Sequence, residues 1–188
     1  MTALRIFVDD NPRSAIFDSN SIADDLSRIT TITQKLAEMG IRFEQWQTLA
    51  NLEFGTPQEE VLQAYQAEVE KLITEEDYQT VDVISLRSDN PNKATLRAKF
   101  LNEHTHSENE VRFFVAGKGL FSLHLNNLVL EVLCTQGDLI SVPANTRHWF
   151  DMGENPNFIA IRFFNNPEGW VANFTGSDIA SQFSRLEN

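Results

Sequence analysis

Two histidines two residues apart, His104 and His106, stand just ahead of a carboxylate and an arginine in the stretch NEHTHSENEVRFFVAGKG, residues 102–119. In a strand, side chains alternate with a period of two, so this spacing puts both imidazoles on one face. Glu110 and Arg112 keep the same parity. An unbroken strand would point all four side chains into one interior, and a bend at residues 107–109 would relax that requirement. Neutral imidazole with ionised carboxylate is the ligand set of a borderline divalent ion such as Fe, Ni, Mn or Zn. An H-x-H pair taken alone is as readily two surface histidines on a turn, so the rest of the chain has to decide.

It decides through spacing. Six residues separate Glu110 from Gly117, and GDLISVPANTRH follows from Gly137 to His148. Together these resemble the two cupin motifs, G-x5-H-x-H-x3-E-x6-G and G-x5-P-x-G-x2-H, and three of the four histidines fall on ligand positions. The glycine ahead of the first histidine is missing, and Asn145 replaces the glycine of the second motif; neither is a ligand position. The resemblance implies a metal held by His104, His106, Glu110 and His148. Four protein ligands in an octahedral shell leave two positions open, and an open shell points to catalysis, because structural sites close their coordination. Two adjacent open positions suit a substrate that chelates through two oxygens. Arg112 would add a fixed positive charge beside such a chelate; its simpler role is to pair with a carboxylate.

The match narrows to one family. FLNEHTHSENEVRFFVAGKGLF and LISVPANTRHWFDM are similar to the two signature segments of the acireductone dioxygenase family, and NPEGW at 166–170 fits its C-terminal part. The resemblance runs over nearly the whole chain, YQTVDVISLRSDNPNKATLRAKF included. It implies one Fe(II) or Ni(II) per chain and a reaction in methionine salvage between O2 and an enediol ketone with a methylthio tail. With Fe(II) the family forms the keto acid precursor of methionine plus formate; with Ni(II) it forms 3-methylthiopropanoate, formate and carbon monoxide. Arg112 would then favour the substrate dianion. Glu103 matches a position associated with metal incorporation, and Asn109 takes the place of an acidic residue linked to conformational relay. Phe150, which shares the His148 face, and Trp170 are candidate walls of the substrate pocket, against a default of aromatic core packing. Two other readings stay open: a different cupin enzyme, an oxidase or isomerase on the same ligands, and a non-catalytic metal-dependent binding module.

The elements that must position these residues read as mainly β with flanking helices, a cupin-type double-sheet jelly-roll β-barrel. Short apolar runs at 111–116, 120–125, 128–134, 139–142, 148–152 and 158–164 alternate with the connectors GKG, NN, TQGD, PANTR and GENPN, which carry turn chemistry. His124, between Leu123 and Leu125 near the NN turn, is expected at an exposed strand position. Upstream, Leu4 to Val8, Ile41 to Trp46 and Val81 to Leu86 read as strands. Ile22, Leu26, Ile29, Ile32 and Leu36 recur at helical spacing between Ser21 and Gly40, and TPQE at 56–59 reads as a capping box opening a second helix. A short helix runs from Pro91 toward Phe100. At 188 residues the chain is expected to be a single cupin domain, with the metal-binding jelly roll at about 80–165 and a strand and helix segment, 1–78, packed on it.

A net charge of -12 argues against nucleic acid and anionic membrane as partners, since both need concentrated Lys and Arg. Neither a signal peptide nor a membrane-length apolar run is legible, and a single cysteine forms no intrachain disulfide. A cytoplasmic monomer acting on a small molecule is the expectation, with Cys134 a packed structural thiol.

Overall fold

Sixteen residues of continuous strand, Glu110–Leu125, run through both sheets of the protein and decide which side chains face inward. The structure, a computed structural model, describes all residues except 49, 167–170 and 188. In chain order the elements are β1 (Ala3–Val8), β2 (Ala15–Asp18), α1 (Asp25–Glu38), β3 (Arg42–Gln45), α2 (Gln58–Ala64), α3 (Gln66–Glu76), β4 (Thr80–Leu86) and α4 (Lys93–Phe100). Then come β5 (His104–Thr105), β6 (Glu110–Leu125), β7 (Leu128–Thr135), β8 (Asp138–Val142), β9 (Arg147–Asp151), β10 (Phe158–Phe164) and β11 (Asn173–Phe174).

The first part of β6 lies between β8 and β10, which continue outward to β3 and β4. The second part lies between β9 and β7, which continue to β5 and β11 on one side and to β1 and β2 on the other. All described strand pairs are antiparallel, and the mainly β, cupin-type architecture expected from the sequence is the one observed. Among the described residues, no helix is long and apolar enough to cross a membrane.

The sequence reads GKG at 117–119 as a turn between two strands, but the chain passes straight through it. The register of β10 against β6 jumps from Ile159 opposite Ala116 to Ala160 opposite Phe114, leaving Val115 as an extra residue. That bulge bends the strand from one sheet into the other and inverts its parity. Before it, Arg112 and Phe114 face inward, while Val111, Phe113 and Val115 face out beneath α2 and α3. Beyond it, the inward residues are Phe121 and Leu123. Gly117 makes the passage possible: it sits at φ +78°, and a Cβ there would lie 2.0 Å from the Asn157 carbonyl oxygen.

The main core fills the space between the sheets, where Phe114, Phe121, Phe150 and Phe158 interleave with Leu4, Ile140 and Val142. Each fully buried side chain of this size contributes about 1.5–3 kcal/mol. Ile32 and Leu36 of α1 join the same core. Helices α2 and α3, with Tyr65 at the joint between them, cover the outer face of one sheet through Val61, Tyr65, Val69 and Leu72. On the other sheet's outer face, Phe183 packs against Phe7 and Trp149. Cys134 is buried, and burial pushes its thiol well above the usual range, so it is inert packing as expected.

Two helix starts differ from expectation. Helix α1 begins after Asp24, whose carboxylate accepts the Ser27 amide at 2.7 Å, and Leu26 faces solvent while Arg28 is buried in its place. The capping box does not form: the Thr56 hydroxyl donates back to the Glu53 carbonyl, and Pro57 occupies the cap with no side-chain bond. The short β5 ends at Thr105, so the bend allowed for at 107–109 is real.

Candidate metal centre

His104 lies on β5, His106 just beyond it, Glu110 at the start of β6 and His148 on β9. Pairing places His104 directly opposite His148. The bend after His106 is held to the loop ahead of β9 by two bonds: the Asn145 amide donates to the His106 carbonyl at 2.8 Å, and the Ala144 amide to the Asn109 side-chain carbonyl at 2.9 Å. Asn145 adopts φ +62°, the left-handed conformation that a glycine would take most cheaply and that asparagine tolerates best among the rest. Asparagine therefore serves at this turn where the motif has glycine.

Ligand nitrogens of His104, His106 and His148 lie within 4.8 Å of one another, and all three side chains are buried. Each ring is oriented by a backbone carbonyl. Nδ1 of His104 bonds the Asn102 carbonyl at 2.7 Å, that of His148 the Thr146 carbonyl at 2.8 Å, and that of His106 the Val171 carbonyl at 3.3 Å. A carbonyl only accepts, so each Nδ1 carries the proton and each Nε2 carries a lone pair. This is the arrangement in which outer partners fix metal-ligating imidazoles.

Glu110 completes the group. Its Oε2 is 2.7 Å from His148 Nε2 and 3.5 Å from His106 Nε2, and its Oε1 is 2.5 Å from the Arg112 guanidinium. Among the described residues, His148 Nε2 and both Glu110 oxygens are buried without a hydrogen bond of acceptable geometry. Two lone-pair atoms at 2.7 Å need a positive charge between them, a proton or a metal ion. Three preset Nε2 donors and one carboxylate fit a divalent ion that takes nitrogen and oxygen ligands.

Burial, reinforced by the neighbouring His148, lowers the His104 pKa to about 4, and burial lowers that of His106 as well. Burial opposes ionisation of Glu110, but Arg112, His148 and His106 outweigh it and hold the carboxyl well below its usual range. Both kinds of shift have the same consequence for metal-free protein. A histidine whose folded pKa lies below its unfolded value leaves the folded state short of protons, so stability is full above about 6.5 and falls as pH drops toward 4. His104 alone accounts for on the order of 3 kcal/mol once both values are passed. Glu110 adds a further loss at the acid end. Urea unfolding of metal-free protein through this window reads the effect; a flat profile would contradict the buried, neutral histidines.

Arg112 is buried beneath three aromatic rings, with its guanidinium carbon 4.5 Å from the Phe150 centroid, 5.1 Å from Phe121 and 5.9 Å from Phe100. Phe150 thus sits in the core and braces Arg112, with Gly119 leaving room for its ring. Trp170 lies outside the described residues. Glu103 points to the opposite face of β5 from His104, and its carboxylate accepts from His124 Nδ1 at 2.5 Å and from the Thr175 hydroxyl at 2.6 Å. His124 is consequently buried, not exposed, with Nε2 3.2 Å from Asp9. The inverted parity after the bulge sends it to the outer face, where Asp9 and Glu103 cover it. Val171 and Thr175 went unread as site neighbours, because bonds to residues so distant in the chain leave no local pattern.

A two-sheet fold joined by one bent strand, with a buried group of three histidines and one carboxylate between the sheets, defines a metal-binding protein of the cupin type. A sequence model of the ARD/ARD′ family matches residues 13–172, and the chain belongs to that family. An acireductone dioxygenase of Pseudomonas fluorescens is 63% identical over 163 residues, covering 87% of this chain and 90% of that protein. One from Alcanivorax borkumensis is 57% identical over 183 residues, 97% of both chains. The solved structure of acireductone dioxygenase from Bacillus anthracis, with a cadmium ion in its active centre, has a TM-score of 0.78 at 30% identity and covers 93% of this chain and 98% of that one.

Proposed function

We infer that this chain is a metal-dependent acireductone dioxygenase of methionine salvage, cleaving its enediol ketone substrate with O2. The observation that carries the reading is the convergence of three preset Nε2 donors on the Glu110 carboxylate in a chain of this family. His104, His106, Glu110 and His148 are its ligands. A bound Fe(II) or Ni(II), one per chain, supplies Lewis-acid polarisation and a template for the substrate oxygens.

The protein residues do the rest. Neutral imidazoles leave Glu110 as the ligand that brings negative charge, so the loaded centre keeps a net positive charge, to which Arg112 adds. That sum matches a doubly ionised enediol, the electron-rich form that O2 oxidises. Phe100, Phe121 and Phe150 exclude water around Arg112, and in such surroundings its charge acts more strongly than in water. Glu103 is assigned to metal incorporation, Asn109 to relay between the His106 bend and the loop ahead of His148, and Phe150 to bracing Arg112. The protein is read as a cytosolic monomer without nucleic-acid or membrane partners; the acidic charge supports the absence of those two partners.

Which ion is loaded decides the products. Metal-free protein reconstituted separately with Fe(II) and Ni(II), then given acireductone and O2, is expected to release carbon monoxide only in the Ni(II) form. Gas analysis beside acid-product analysis on the same samples checks this, and identical products from both forms would refute it. Turnover that proceeds without O2 would instead assign the site to an isomerase.

A further inference from the structure

Helix α4 lies against β9, the strand that carries His148. Its inward stripe is Lys93, Leu96, Arg97 and Phe100, spaced as one helix face, and all four are half-buried while the rest of the helix is exposed. Half of that stripe is charged. Apolar burial is left to Leu96 and Phe100, so the seat of the helix depends on the partners of its two cations.

Both cations are met. Lys93 Nζ donates to the Ser88 carbonyl at 2.8 Å and to the Asn155 side-chain carbonyl at 2.7 Å. Arg97 makes a two-pronged bond to Asp151, Nε to Oδ1 at 2.7 Å and Nη2 to Oδ2 at 3.0 Å. Asp151 is 1% exposed, and the amides of Gly153 and Leu186 also donate to it. A guanidinium fork on a buried carboxylate is the stronger and more directional kind of bond. Asp151 follows Phe150 and so points to the opposite face of β9. Helix α4 therefore grips that strand from both sides. Arg97 takes the carboxylate on the outer face, and Phe100, one turn further on, shares the Arg112 guanidinium with Phe150 on the inner face, at 5.9 and 4.5 Å.

We propose that Arg97 and Asp151 are a positioning pair that seats α4 beside the metal centre, holds the Phe100 ring over Arg112, and so sets how strongly Arg112 acts on the ionised substrate. This rests on the role given to Arg112 above. Both residues act through Phe100. With the pair cut, the helix end shifts, water reaches the guanidinium, and its charge is screened where it was concentrated before. A preorganised charge loses effect in the same measure.

The test uses metal-loaded full-length protein and reads kcat, KM and the ultraviolet spectrum of acireductone bound anaerobically. Arg97→Met replaces the fork with an apolar chain. It is expected to lower kcat about 10- to 100-fold at unchanged metal content, the upper figure being what a misplacement of about 1 Å can cost. The bound-substrate spectrum should lose dianion character with it. Arg97→Lys keeps one charged donor and should recover part of the loss. Phe100→Leu removes the ring at the end of the same chain of effects, so adding it to Arg97→Met should lower kcat little further. Should Arg97→Met not fold, the same pairing is run with Arg97→Lys. Arg5→Met is the control for a purely structural role. It cuts another pair with a buried carboxylate, Arg5 to Glu131 at 2.6 Å, and should lower the unfolding midpoint while kcat holds. Wild-type kcat and spectrum in Arg97→Met, additive losses with Phe100→Leu, or an equal kcat loss in Arg5→Met overturns the pair's role. Wild type without turnover would overturn the functional reading, and a dianion-like spectrum in Arg112→Ala the role of Arg112; either result takes the proposal with it.

Discussion

Alanine in place of His148 is expected to remove bound metal and turnover together, with metal affinity falling by more than about 100-fold, since loss of an outer partner alone costs 10–100-fold. His148 is the ligand contributed by the second motif, and it stands opposite His104 and against Glu110 at once. Removing it takes away one Nε2 donor and leaves the buried Glu110 to its contacts with His106 and Arg112. His104→Ala and His106→Ala should act in the same direction. Metal content per chain, measured beside turnover, is the check; a His148→Ala protein with its full complement of metal would refute the ligand assignment. His124→Ala is not the silent control that an exposed histidine would have provided. It removes the partner of the buried Glu103 carboxylate, and a stability loss of about 1–3 kcal/mol is expected.

Arg112 separates chemistry from metal binding. It has no lone pair to give an ion, yet it sits 2.5 Å from a ligand carboxylate and is held there by aromatic rings. Losing such a preorganised charge should lower turnover by about 10²–10³-fold. Its burial adds a cost that spacing alone did not foretell. Arg112→Ala breaks a buried ion pair and opens a cavity among Phe100, Phe121 and Phe150, so metal-free protein should lose about 3–5 kcal/mol. Metal bound at Glu110 would offset part of that by giving the carboxylate another cation. Arg112→Lys keeps the charge, loses the planar fork, and should recover only part of the activity. The decisive measurement is the ultraviolet spectrum of substrate bound anaerobically to the metal-loaded variants. A dianion-like spectrum persisting in Arg112→Ala would mean that Arg112 serves Glu110 and not the substrate.

The parts of this protein that follow local rules were readable from residue order. Histidine spacing, the Pro143-to-His148 interval and the alternating runs after residue 110 depend on near neighbours, and the three histidines meet as that spacing implied. What was hidden depends on register. Nothing in EVRFFVAGKGLFSLHL marks Val115 as the extra residue, since the two glycines that follow read equally well as a turn. That one residue turns His124 to the outer face, and there the long-range contacts of Asp9 and Glu103 make it a buried partner and not a surface group. Leu26 misled for the opposite reason: its helical spacing is right, but the neighbours that would bury it are absent, and Arg28 takes the interior position. The contacts of Val171 and Thr175 belong to a third class, long-range bonds to backbone and to a buried carboxylate.

Strand β6 also sets an order of events. Its hairpin with β7 closes on the adjacent residues Asn126 and Asn127, both at positive φ, so this ribbon needs only local chain closure. The three histidines meet only when β9 enters between β5 and β6, a step that closes far longer loops and so comes later. Metal therefore cannot template the fold through its full ligand set. The full set exists only once β9 has docked, and an ion captured earlier, on His104 and His106 alone, would be held by too few donors to direct the chain.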